Sequence, residues 1–158
     1  MREGLDIRSI SIVIAATSVV IGVIFAVLEL RNVIKQRQTD LVIRLYSTFI
    51  TNEFQEAYQT LWATDFKDYN DVLRKGHLSR LRTIGGFFEA IGVLLHRKLV
   101  DIGIVDDLFR ESIKLMWEKA KPVLYDAREQ LNLPTYGRYF ENLYNELQKR
   151  EKTPQTQH

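Results

Sequence analysis

The sequence predicts an all-α protein in which a single N-terminal transmembrane helix continues into a cytosolic antiparallel helical bundle. Three observations carry that expectation. Ser9 to Leu28 is a run of twenty positions without a charge. The remainder repeats apolar residues every three or four positions, the spacing of one helix face. No strand-like alternation and no hairpin dipeptide interrupts that pattern.

The chain has 158 residues, 46% hydrophobic and 27% charged, with a net charge of +2. A slightly negative mean hydropathy conceals how unevenly the apolar residues are spread. Four segments follow: a leader at 1–8, the membrane helix at 9–28, a helical domain at 29–148 and a polar tail at 149–158, expected to be disordered. The middle segment has room for one small core and not for two. The absence of cysteine excludes disulfide frameworks, thiolate metal sites and cysteine nucleophiles.

The apolar run comes first. Crossing ~30 Å of hydrocarbon takes about 20 apolar residues in a helix, and Ile10 to Leu28 supplies that length without proline. A buried core helix apolar on every face would need a larger protein around it. A cleaved signal sequence would have a shorter apolar core and a small-x-small site, which Ile24 and Val27 interrupt near Ala26. The leader carries Arg2 and Arg8, whereas the far side carries Arg31, Lys35, Arg37 and Arg44. The excess of basic residues on the far side points to a single-pass cell-membrane protein with its N-terminus outside and its C-terminal domain cytoplasmic. Ser18, Gly22 and Ala26 recur every four residues, a small-residue ridge along which a second membrane helix can approach.

No proline or glycine separates the run from Leu30, Ile34, Leu41 and Leu45, so the helix is expected to continue to about Tyr46. Asn52 followed by Gln55 resembles a capping box opening a second helix with Phe54, Tyr58, Leu61 and Trp62. Residues 64–70 read as a connection, and Gly76 punctuates before the central helix, Leu78 to Leu99. Leu78, Leu81, Ile84, Phe88, Ile91 and Leu95 form its stripe. Gly103 is expected to mark the next turn. Helical phase then runs from Val105 to Leu131 across Pro122, which favours one helix kinked at the proline. Pro134 ends it, and Thr135 opens a last amphipathic helix with Tyr139, Phe140, Leu143, Tyr144 and Leu147 on one face.

Chemistry is sparse. Gly85, Glu89, Gly92 and His96 lie along one side of the central helix, where glycines admit a neighbouring backbone and draw Glu89 out of water. A carboxylate so placed must be paired, protonated or hydrogen-bonded, or else serve a small pocket. His96 lies two turns away, about 10 Å along the axis, too far for a direct dyad. No histidine follows any glutamate by three residues, so the helical carboxylate metal signature is missing. Phosphate-loop, serine-elbow and zinc-protease motifs are missing too, so no catalytic residue, metal or cofactor is expected. Arg74, Lys75, Arg80 and Arg82 cluster around one turn, but twenty acidic residues offset twenty-two basic ones, and nucleic acid is not an expected partner.

The stretches FFEAIGVLLHRKLVDIGIVDDLF, MWEKAKPVLYDAREQ and YFENLYNEL resemble a family of small prokaryotic membrane proteins known as a domain of unknown function. The resemblance runs from the span to about Leu147. Its most specific elements are Phe87-Phe88-Glu89, Asp101, Trp117-Glu118, Pro122 and Arg128. It implies one N-terminal span and a helical cytosolic body, and supplies no catalytic residues. It sharpens one physical expectation, that Glu89 and Arg128, charged residues beside apolar stripes on different helices, pair across the bundle. The expected role is a membrane-anchored, non-enzymatic interaction or accessory subunit. Its partners are the lipid bilayer and a protein, or a second copy through the membrane helix and bundle, with Trp62, Tyr125, Tyr136 and Tyr144 as contact aromatics. The alternative is a membrane-tethered small-ligand sensor, or an enzyme of unrecognised type, with a pocket around Glu89. A homo-oligomeric pore is the third reading, with little polar lining to support it.

Overall fold

A computed structural model describes residues 7–152, with side chains from Ser11 onward. All described secondary structure is helical: α1 (Ile7–Phe49), α2 (Asn52–Ala63), α3 (Tyr69–Arg74), α4 (Leu78–His96), α5 (Ile102–Gln130) and α6 (Arg138–Lys152). The chain divides into two units between Asp40 and Leu41. Most of the leader and the last six residues of the tail lie outside the described residues.

The first unit is the greater part of α1. Its side chains from Ser11 to Leu30 are all exposed, including Val19, Val20, Ile24 and Phe25. This helix is long and apolar enough to cross a membrane. Two hydroxyls of its apolar stretch are satisfied by the helix itself: Thr17 Oγ1 donates to the Val13 carbonyl and Ser18 Oγ to that of Ile14, each at 2.8 Å. Such back-bonding leaves these two hydroxyls without need of water.

The second unit is a helical bundle. α4 packs against α2 and α6, and α5 against α3 and α6. Ile84, Phe88 and Ile91 of α4 meet Phe109, Ile113 and Trp117 of α5 and Phe140, Leu143 and Leu147 of α6 in one buried cluster. Burying each large side chain contributes about 1.5–3 kcal/mol, which makes this cluster the main source of the bundle's stability. Leu41, Val42, Leu45 and Phe49, the last turns of α1, cover part of it. α5 passes through Pro122 with its phase kept: Trp117 and Ala120 before the proline, and Val123, Leu124 and Ala127 after it, are all buried.

Several boundaries differ from expectation, each for a local reason. Thr51, not Asn52, caps α2, because its hydroxyl accepts the Phe54 N–H at 3.3 Å while Gln55 reaches back to the Phe49 carbonyl at 2.6 Å. The stretch read as a connection contains the start of α3, capped by Asp68, whose carboxylate accepts the Asp71 N–H at 2.7 Å. α4 stops at His96 because Lys98 adopts φ 57° and the Leu99 N–H returns to the Leu94 carbonyl at 2.9 Å. That pairing is a Schellman ending, with lysine where glycine is usual. Gly103 lies in the first turn of α5, held by the Asp101 cap at 2.7 Å, and not in the preceding turn.

At the other end of α5, Asn132 takes φ 53° and the Leu133 N–H bonds the Arg128 carbonyl at 3.0 Å. Residues 135–137 then form a turn, so α6 starts at Arg138, after Gly137 at φ +68°. α6 also extends to Lys152, into the stretch expected to be disordered. Ion pairs to α5 hold that extension: Arg150 Nε lies 3.4 Å from Asp106, and Glu151 lies 3.1 Å from Lys114 Nζ.

Candidate functional site

α4, the end of α5 and the turn leading into α6 enclose a cleft of about 470 Å³. Leu81, Leu124, Leu133 and Phe140 give it apolar walls, and Arg82, Glu89, Thr135 and Tyr136 contribute its polar groups. Gly85 and Gly86 form its floor.

Glu89 is placed by its position on α4 directly beneath the start of α6. Gly137, which precedes α6, has no side chain with which to cap it, so the first turn of α6 needs an acceptor from elsewhere. Glu89 Oε2 provides it, accepting the Phe140 N–H at 2.7 Å. A carboxylate at a helix N-terminus is also favoured by the helix dipole. The close approach of the two helices depends on Gly92, because a Cβ there would stand 2.1 Å from the Tyr139 carbonyl oxygen. Gly85 behaves differently: a Cβ added at Gly85 or Gly86 meets nothing within 4 Å. The expectation that glycines flanking Glu89 admit a helix therefore holds at Gly92, while Gly85 borders open space.

The expected Glu89–Arg128 pair does not form. Arg128 instead donates through Nε to the Tyr136 carbonyl at 2.8 Å and through Nη2 to Glu141 Oε2 at 2.7 Å. The Tyr125 hydroxyl donates to the other Glu141 oxygen at 2.7 Å, and the Arg128 guanidinium lies 5.0 Å from the Tyr125 ring. The physical reason is the helix ends: Arg128 sits in the last turn of α5 and Glu141 in the first turn of α6, where each charge suits its own dipole. Partial burial pushes the Glu141 carboxyl up, but the hydrogen bonds from Tyr125 and Arg128 outweigh it and hold the group below its ordinary value. The same bond, with some burial, raises the Tyr125 phenol. His96 lies outside the cleft, exposed at the end of α4, with its ring 5.3 Å from that of Tyr139.

Other candidate residues are accounted for by the fold. Asp71 is buried and accepts from Lys75 at 2.9 Å, from Arg74 at 3.3 Å and from the Lys67 N–H at 3.3 Å. The Lys75 bond is the main cause that lowers its carboxyl to about 2. Arg74 and Lys75, half of the basic cluster, thus serve α3. Tyr144 donates to Glu118 at 2.6 Å, whereas Trp62 is 51% exposed and stands free for contact. Ser18, Gly22 and Ala26 are exposed along α1, and a Cβ at Gly22 meets nothing within 4 Å. Among the described residues no group of three or more acidic or histidine side chains is placed to hold a metal ion.

The fold defines an all-helical bundle preceded by one long apolar helix. The model of a domain of unknown function, DUF4760, matches residues 16–147, and the chain belongs to that family. No curated protein and no solved structure matches it.

Proposed function

We propose that this chain is a membrane-anchored, non-enzymatic accessory subunit. The apolar part of α1 lies in the bilayer, the N-terminus faces outward, and the bundle faces the cytoplasm and binds a protein partner. The exposure of every side chain from Ser11 to Leu30 supports this reading most strongly. In water, burying that surface would yield about 25 cal/mol per Å², and lipid offers that burial. The family match begins at residue 16, inside the apolar run, so the second half of that run belongs to the family domain, which supports its retention. Arg31, Lys35, Arg37 and Arg44 support the orientation.

The cysteine-free chain makes the orientation simple to test. A single cysteine at the exposed Ser79→Cys position should resist a membrane-impermeant maleimide in intact cells and react after permeabilisation. Labelling in intact cells would reverse the orientation. For the accessory role, a protein should co-purify stoichiometrically with the full chain from its native membrane. A lone chain across solubilisation conditions would count against it.

The cleft beside Glu89 favours a second reading, a tethered head that senses a small ligand. Its volume lies within the ~300–1,000 Å³ usual for ligand pockets.

A further inference from the structure

We propose that the cleft beside Glu89 binds a small organic cation, an amine or guanidine carried on a compact apolar body. The inference rests on the ligand-sensing reading and names its ligand class. Three independent observations support it.

The first is a carboxylate with one oxygen uncommitted. Glu89 Oε2 is occupied by the Phe140 N–H, but among the described residues Oε1 accepts no hydrogen bond and the carboxylate forms no ion pair. Arg82 lines the same cleft, yet it is exposed and does not pair with Glu89. A carboxylate on an apolar wall attracts a cation more strongly than one in water, because the surrounding dielectric is low.

The second is the wall chemistry. Leu81, Leu124, Leu133 and Phe140 suit an apolar body, and Tyr136 adds an aromatic residue to the lining, a residue type that attracts cations. Glu89 is the partly buried charge of the cleft and Arg82 the exposed one, so an anion placed beside Glu89 would meet the wrong sign.

The third is the floor. Two successive glycines inside a helix lower its stability relative to alanine, because glycine loses the most backbone freedom on folding. Neither Gly85 nor Gly86 has a positive φ, and no neighbour in the chain needs the space they leave. Gly92, on the same helix, is required by Tyr139. A guest that comes up against the α4 backbone accounts for the bare floor.

The test uses the full chain in phosphatidylcholine nanodiscs, with 2-phenylethylammonium and its uncharged analogue 2-phenylethanol as probes. Binding is followed by ligand-observed NMR against empty nanodiscs. Two variants accompany it. Glu89→Gln keeps an acceptor for the Phe140 N–H while removing the charge, and Gly86→Leu fills the floor and leaves the cap untouched. The ammonium should bind about tenfold more tightly than the alcohol, and Glu89→Gln should abolish that preference. Gly86→Leu should weaken both probes while thermal unfolding stays cooperative. Equal binding of the two probes, or a preference that survives Glu89→Gln, would overturn cation recognition and leave a neutral-ligand cleft. Failure of both probes to bind would overturn the ligand-sensing reading along with it, and the anchoring proposal would be unaffected.

Discussion

The Glu89 carboxylate on α4 caps α6 by accepting the Phe140 N–H at 2.7 Å, so one side chain supplies what the sequence before α6 lacks. Glu89→Ala should therefore destabilise the bundle by about 0.5–2 kcal/mol, the range for losing a helix cap. Glu89→Gln should recover most of that loss. Denaturant unfolding of both variants checks this, and equal losses would show that charge matters more than the hydrogen bond.

Arg128 and Glu141 are coupled, whereas Glu89 and Arg128 are not. Replacing Arg128 and Glu141 singly and together by alanine should give an interaction energy of about 1 kcal/mol in a double-mutant cycle. The corresponding cycle for Glu89 and Arg128 should be additive within about 0.5 kcal/mol. A large coupling in the second cycle would restore the pair that the sequence alone led us to expect.

The glycines of α4 should diverge in sign. Gly92→Ala drives a methyl group into the Tyr139 carbonyl and should destabilise by at least about 1–3 kcal/mol. Gly86→Ala enters open space inside a helix and should stabilise by about 0.4–1 kcal/mol. Thermal midpoints of the two variants on opposite sides of the parent's would bear this out.

Most of the bundle could be read from periodicity. The stripe from Leu81 to Ile91, the phase carried across Pro122 and the apolar face of α6 all depend on burial of one face, which leaves a repeating mark in the sequence. Element ends left fainter marks. Lys98 in a left-handed conformation carries no glycine signal, and Thr51 lies one residue from an equally good cap. The partner of Glu89 could not be read at all, because a backbone N–H has no residue identity. Glu141 could have been recognised as the better partner for Arg128, since the two charges stand at facing helix ends. The open floor at Gly85 and Gly86 needed the structure, because a glycine used for packing and one that borders space look the same in sequence.

Asp71 and Glu141 make the bundle sensitive to acid. Hydrogen bonds to Lys75, the Lys67 N–H and Arg74 hold Asp71 at about 2 against an ordinary 3.8. A depressed folded-state value means that the unfolded chain takes up the proton first. Its stabilising contribution is thus complete above about 4 and is lost as the pH falls through about 2. Glu141, also lowered, acts with the same sign. Asp71→Asn should flatten the dependence of unfolding free energy on pH in that range, measured by urea titration at a series of acidic pH values. An unchanged slope would remove Asp71 as the cause.

The anchoring of α1 in lipid is the claim on which the proposed location and role both stand, and alkaline extraction of membranes from cells making the full chain tests it directly. We predict that the full chain stays with the membrane pellet, and that a Val20→Lys, Ile24→Lys double variant shifts to the supernatant. Each lysine near the centre of a span raises the free energy of insertion by about 2.5–3.5 kcal/mol. Release of the parent chain into the supernatant without detergent would contradict the account.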